Sequence, residues 1–208
     1  MGSLGTSAPV AAKAPVAEPK KEEAKAPTKA AAGKPAPKAP VKVLRFKTWE
    51  ISNYGAETLI FPAAEVNVGM TFNFFNCEKT KVIIEGKFKN GMLSKCKKMD
   101  IKMDEAMSMM EMLRCEGIKL TVIKKCPAIS VELSNGVQVF TTFESKTQCQ
   151  LSTTASQSVS YVYPKNAGTF NPDDDEDDDQ KTEIIPETYV SKLDASDKLT
   201  ILPQLGIE

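Results

Sequence analysis

Three cysteines carry the most chemically suggestive spacing in this chain: Cys77, Cys96 and Cys115 follow one another at steps of 19 residues. A thiol column invites metal binding or nucleophilic chemistry. Zinc, however, needs four ligands converging tetrahedrally at about 2.3 Å, and no CxxC pair occurs anywhere in the sequence. The chain also has no histidine. That removes Cys-His and Ser-His-Asp nucleophilic catalysis together with the His-containing zinc sites. Neither GxxxxGK[ST] nor GxGxxG is present to cradle a phosphate. Free Cys is among the most buried residue types, so the column reads as a buried structural ladder, with Cys126 and Cys149 as core or edge thiols outside it. The expectation is no metal, no cofactor and no catalytic constellation: a binding protein rather than an enzyme.

Lysines are the second set. Lys79 and Lys98 share an offset from their column Cys, as do Lys81 and Lys119; Lys97 adjoins, and Lys124-Lys125 follow a strand-like run. Stacked, they make a positive stripe suited to an acidic partner. Glu78, Glu85, Asp100 and Glu116 offer internal neutralisation instead, which would leave a mixed solvated face. Arg45 and Arg114 are the only arginines and the formal net charge is zero, so neither an arginine-rich face nor a global basic field points to nucleic acid. The candidate contact residues are Lys79, Lys97, Lys98, Lys119, Lys124 and Lys125.

The elements that must position these residues follow from the same frame. Five residues after each column Cys come Val82, Ile101 and Leu120, and seven after come Ile84, Met103 and Val122. One frame on, Ser134 takes the Cys place, with Val139 and Thr141 behind it. Self-similarity near twenty residues marks a solenoid. Apolar residues two apart, separated by Ile83, Lys102, Thr121 and Phe140, alternate as a strand does. The expected architecture is all-β, a parallel β-helix of about 19 residues per coil. Six or so coils at about 4.8 Å make a prism roughly 25–30 Å tall. Asp104 to Arg114 has good helix propensity, yet the frame runs through it, so strands are expected there. Asn53-Tyr54-Gly55, Lys89-Asn90-Gly91 and Ser134-Asn135-Gly136 read as turns.

Around this core, 41–170, lie three biased segments. Residues 1–40 are a Pro/Ala/Lys-rich tract expected to be a disordered tether, with Pro37-Lys38-Ala39-Pro40 as a PxxP ligand for an SH3 domain. Residues 171–182 hold the acidic run Asp173 to Asp179, read as a solvated loop because adjacent carboxylates repel and lack EF-hand spacing. Residues 183–208 contain strand-like Glu183-Ile184-Ile185 and Lys198 to Leu202, which have no place in the frame. They either cap the open end or pair with another chain. No apolar run is long enough for a membrane span. The absence of an apolar signal core and the odd count of five cysteines suggest a reducing cytoplasm.

Trp49-Glu50-Ile51-Ser52-Asn53, Cys96-Lys97-Lys98 with its alternating apolar sequel, Ile185-Pro186-Glu187-Thr188-Tyr189 and Lys198-Leu199-Thr200 occur in one order. In that order they resemble the C-terminal domain of the cyclase-associated proteins, over about Leu44 to Leu202. The resemblance implies a right-handed parallel β-helix, a homodimer made by exchanging C-terminal strands, and binding to monomeric actin in the cytoplasm. It implies preference for ADP-actin, with promotion of nucleotide exchange or sequestration of monomers. The dimer contacts it implies are Ile184, Ile185, Pro186, Tyr189, Leu199, Thr200, Ile201 and Leu202. The helical domain and WH2 segment of longer members have no counterpart in the tract before the core, so a short, C-terminal-only form or a fragment is expected. A rival on the same fold is the tubulin cofactor C type of GTPase activator, whose Gln-x-Arg-x-His segment presents an arginine finger. Here Arg114 follows Met112-Leu113 and no His is available.

Overall fold

Alternating apolar residues repeated every 19 positions can all be buried only if each coil lays its strands directly on those of the coil before. A computed structural model, describing residues 38–168, 179–193 and 198–204, has this arrangement. Strands β1 (Val41–Arg45) and β2 (Thr48–Ser52) form an antiparallel hairpin. The chain then winds through β3 (Thr58–Phe61), β4 (Thr71–Phe75), β5 (Lys81–Phe88), β6 (Asn90–Ser94), β7 (Asp100–Ala106) and β8 (Met109–Leu113). It continues through β9 (Glu116–Glu132), β10 (Asn135–Thr141), β11 (Cys149–Thr154) and β12 (Ser160–Pro164).

Two parallel stacks result, six coils deep. The first contains β2, β4, β6, β8, the second half of β9, and β11. The second contains β3, β5, β7, the first half of β9, β10 and β12. The Met-rich stretch from Asp104 onward is strand, as the frame requires: β7 pairs with β5 and β9, and β8 with β6 and β9. The step is 19 residues through the central coils (Thr71↔Asn90, Met109↔Ala128) but 23 at the first (Thr48↔Thr71) and 22 at the last (Ala128↔Gln150).

The core is the inside of the coil. Val82, Ile84, Ile101, Met103, Leu120, Val122, Val139 and Thr141 are all buried, in register. Near the N-terminal end, Trp49, Phe61, Phe72 and Phe88 pack edge to face with centroids 4.9–5.3 Å apart. Each fully buried aromatic of this kind contributes about 1.5–3 kcal/mol. The Lys42 ammonium lies 4.4 Å from the Phe61 ring centroid and 5.3 Å from that of Trp49, closing this end with a cation–π cap.

One turn expectation is corrected. Asn90 and Gly91 of Lys89-Asn90-Gly91 belong to β6, and Gly91 does not have a positive φ. Its small size is required instead by Met110 on the next coil, whose Sδ would lie 2.5 Å from an added Cβ. Asn53 and Gly136 do adopt left-handed conformations.

At the C-terminal end β13 (Gln180–Ile184) pairs antiparallel with β12 of its own chain, so strand structure begins three residues before Glu183. Strands β14 (Thr188–Leu193) and β15 (Leu199–Gln204) make a separate antiparallel pair. The expectation for residues 1–37 and most of the acidic run, Asp173 to residue 178, falls outside the described residues.

Candidate functional site

Each coil turns from the first stack to the second through five residues, and here the cysteine column and the first lysines stand. The turn begins with a left-handed residue: Asn53, Asn76, Lys95, Arg114, Leu133 and Ala155 all have φ between +47° and +58°. From the second coil on, the next residue is Cys77, Cys96, Cys115, Ser134 or Ser156, and its side chain points inward to the coil below. The Cys96 Sγ donates to the carbonyls of Phe74 (3.7 Å) and Ser94 (3.5 Å), and Cys115 Sγ to those of Leu93 and Leu113. The hydroxyls do this at shorter range: Ser134 Oγ to Glu132 O at 2.8 Å, Ser156 Oγ to Val131 O at 3.0 Å. The column is therefore a side-chain ladder that satisfies backbone carbonyls at a tight bend.

Protons in the ladder are unevenly held. Cys96, hydrogen-bonded through sulfur to Cys115 and Cys77 and desolvated, has its thiol pushed up. The same contact with Cys96 pulls Cys77 down, to about 7, and Cys115 down as well. All three are at most 3% exposed, so none is presented to a substrate. Burial pushes Cys126 up to about 12, helped by Cys149 in the adjacent strand, and Cys149 is raised by burial too. Among the described residues no three metal-ligating side chains converge.

Two residues past the column come Lys79, Lys98, Gly117, Gly136 and Ser158, of which the sequence showed the two lysines at a common offset and Gly136 in a turn. All five have left-handed backbone, φ +56°, +50°, +65°, +67° and +51°. Lysine thus occupies two positions where the next two coils use glycine, which adopts this conformation without strain, and the last uses serine. Both lysines are exposed. Between them Lys97 bonds Glu116 at 2.8 Å and sits in a bridged column Glu78–Lys97–Glu116. Glu116 is pulled below the ordinary carboxylate value by Lys97, and Lys97 is raised by Glu116.

The structure brings Lys79, Lys97 and Lys98 onto one corner and does not bring the other candidates to it. Lys119 lies on the second stack with its ammonium 4.7 Å from the Phe140 ring centroid. Lys124 and Lys125 stand at the far end of the same strand segment, about 20 Å along it at an extended rise. There Lys124 pairs with Asp104 at 3.0 Å. Arg114 is exposed at the first position of the turn, its N–H bonded to Glu132 O.

The tail residues fall into two groups. Ile185 packs against the core and donates its N–H to Val159 O. Pro186 and Glu187, with Thr153 to Gln157, line a cavity of about 630 Å³, and Glu187 accepts the Ser158 N–H at 2.7 Å. Ile184, Leu199, Thr200, Ile201 and Leu202 are exposed, the apolar four by more than half. Tyr189 lies in β14.

A family profile described as "Adenylate cyclase associated (CAP) C terminal" matches residues 38–202. The chain is 24% identical to human adenylyl cyclase-associated protein 2 over 162 residues, 78% of this chain and 31% of that protein. It is 33% identical to the adenylyl cyclase-associated protein of Hydra viridissima over 107 residues, 51% of this chain and 22% of that one. The chain thus spans about a third or less of these relatives. A crystal structure of cyclase-associated protein from Cryptosporidium parvum superposes with a TM-score of 0.69 at 22% identity, covering 80% of this chain and 96% of that one.

Proposed function

The chain belongs to the adenylyl cyclase-associated protein family through its C-terminal domain, and from that premise we propose that it binds monomeric actin, ADP-actin by preference. In this reading it regulates filament turnover by speeding nucleotide exchange or by sequestering monomers. The observation that carries the site is the exposed pair Lys79 and Lys98. An L-residue in the left-handed region costs about 1–2 kcal/mol; glycine fills the equivalent places on the next two coils and the small Ser158 that on the last. Lysines kept there against a backbone cost fit a surface selected for its charge.

The mechanism follows from complementarity. Actin's acidic surface attracts the lysine corner, steering encounter and making association salt-sensitive. Exchange is accelerated only if the complex favours an actin conformation with an open nucleotide cleft, since a ligand shifts an equilibrium by its differential affinity alone. Lys97, neutralised by Glu116, contributes less than its neighbours, and Lys124 and Lys125 belong to a separate edge. Binding to actin carrying fluorescent ADP or ATP, read as affinity and nucleotide release together, tests this. Lys79→Glu with Lys98→Glu weakens binding by about ten-fold or more, the scale of losing close charge complementarity. Unchanged affinity removes the corner from the site.

The same reading includes a homodimer through the tail. Its support is the exposed apolar residues Ile184, Leu199, Ile201 and Leu202, together with the open edge of β11, which among the described strands pairs on one side only, with β9. An isologous exchange would cover both. Solution mass of a chain ending at Asp179 is the check: a dimer that survives sinks the idea. The PxxP segment, of which Lys38 to Pro40 are described and exposed, stays a proposal for an SH3 pull-down. The GTPase-activator reading has less support: Arg114 is exposed, but no histidine exists to complete the segment that presents such a finger.

A further inference from the structure

The hairpin joining β1 to β2 turns through two residues, Phe46 and Lys47, with Arg45 paired to Thr48 across it. Both loop residues have positive φ, +46° and +69°, the geometry of a type I′ turn, which Asn-Gly or Asp-Gly ordinarily supplies. Phenylalanine is a poor occupant on two counts. Its Cβ opposes the left-handed conformation, and its side chain is fully exposed, at 103%. Among the described residues nothing covers it. Beside it Val68, 54% exposed, stands on the loop whose Gly69 approaches the Lys47 side chain, and Thr71 N–H bonds Lys47 O. Leu44, one strand residue before Arg45, is 44% exposed.

Cations outnumber acids along the chain at this tip. From Lys38 to Lys47 the described residues hold four cations, Lys38, Lys42, Arg45 and Lys47, and no acid. Arg45 and Lys47 flank Phe46 directly, and Lys42 is committed to the aromatic cap. Arg45 is paired with Glu50 at 3.8 Å. A partner must accept an apolar knob from a convex tip and present negative charge beside it. An anionic lipid surface does both without a preformed pocket: aromatic side chains lodge at the headgroup level, and a basic segment is held by the surface potential. We infer that the β1–β2 tip is a membrane-docking finger in which Phe46 inserts and the adjoining cations, from Lys38 to Lys47, meet anionic headgroups. One apolar residue with charge gives reversible attachment rather than anchoring. This surface lies apart from the lysine corner and does not rest on the actin reading.

The experiment is co-sedimentation of the full chain with vesicles of phosphatidylcholine alone and of phosphatidylcholine with phosphatidylserine. Binding is expected only to the anionic vesicles, and raised salt releases it. Phe46→Gly relieves the left-handed strain, so its thermal midpoint holds or rises, while vesicle partitioning falls about ten-fold, the scale of losing one buried aromatic. Phe46→Trp retains binding. Three results overturn the inference: no binding to anionic vesicles, equal binding by Phe46→Gly, or a Phe46-dependent association with actin or with a second copy that vesicles do not compete for.

Discussion

Where the first stack turns into the second, all six coils use five residues: 53–57, 76–80, 95–99, 114–118, 133–137 and 155–159. At the opposite corner the central coils use five (85–89, 104–108, 123–127), but the first uses nine (62–70) and the last eight (142–149). The two corners bend the same chain between the same sheets, and only one tolerates extra length. At the constant corner a left-handed residue and an inward thiol or hydroxyl lock each coil from the second on to the carbonyls of the one below. The variable corner has no ladder repeated from coil to coil: its long first turn buries Val66 and Met70, its long last turn bonds the coil below through Thr142 Oγ1 to Ile123 O and Ser145 Oγ to Val122 O, and the added length comes at a loop-closure cost that grows slowly. Register is held on one side of the solenoid and slack is taken up on the other.

The most severe way to break this comparison is a one-residue insertion. An Ala placed between Lys97 and Lys98 shifts β7 by one position and turns Ile101 and Met103 from core to solvent. The expected loss exceeds about 5 kcal/mol, from two large side chains at about 1.5–3 kcal/mol each plus the broken ladder, and the far-UV signal should melt without a sharp transition. The same Ala between Ala64 and Glu65 should leave the thermal midpoint within a few degrees of the parent. Equal damage at both sites would show that length is constrained all round the coil.

A finer test separates the ladder's hydrogen bonds from its packing. Ser134 Oγ accepts the Cys115 N–H at 2.9 Å and donates to Glu132 O at 2.8 Å. Ser134→Ala leaves that buried N–H without a partner, at a cost of about 2 kcal/mol. Cys96→Ser replaces contacts of 3.5–3.7 Å with a hydroxyl that can draw closer, and should change stability by less than about 1 kcal/mol. Chemical denaturation of both variants decides it. If Ser134→Ala is the milder change, the column acts by volume alone.

The constant corner was legible because its repeat is strict: Cys77, Cys96, Cys115 and Ser134 keep one interval, and the buried pairs behind them share it. Ser156 continues the ladder, but three added residues at the other corner displace it from the frame, so it could not be found by counting. Left-handed Lys79, Lys95 and Lys98 were also hidden, since lysine carries no turn signal; only Gly117 and Gly136 at the same offset as two of them betrayed the backbone. Gly91 misled in the opposite sense, marking close approach by Met110 rather than a turn. The lysine set was read as one stripe because strand length is invisible in the 19-residue frame: one offset separates Lys98 from Lys119's neighbours, but a whole strand separates that corner from Lys124 and Lys125.

The smallest effect concerns the charges riding on the constant corner. Lys97 and Glu116 pair at 2.8 Å on side chains more than half exposed, where ion pairs contribute little. Glu116 is depressed below its ordinary 4.5, so its contribution is present above that value and is lost as pH falls through the folded value. Lys97 is raised above its ordinary 10.5, so its contribution is present below that value and is lost as pH rises through the folded one. Between these limits the pair contributes a constant, screened amount. Lys97→Ala should therefore leave the thermal midpoint unchanged near neutrality while moving the Glu116 carboxyl titration, followed by NMR, back up toward 4.5. A midpoint that drops by several degrees at neutral pH would mean that the Glu78–Lys97–Glu116 column helps hold the coils together. The thiol–carbonyl ladder would then be insufficient by itself to explain why this corner admits no extra residue.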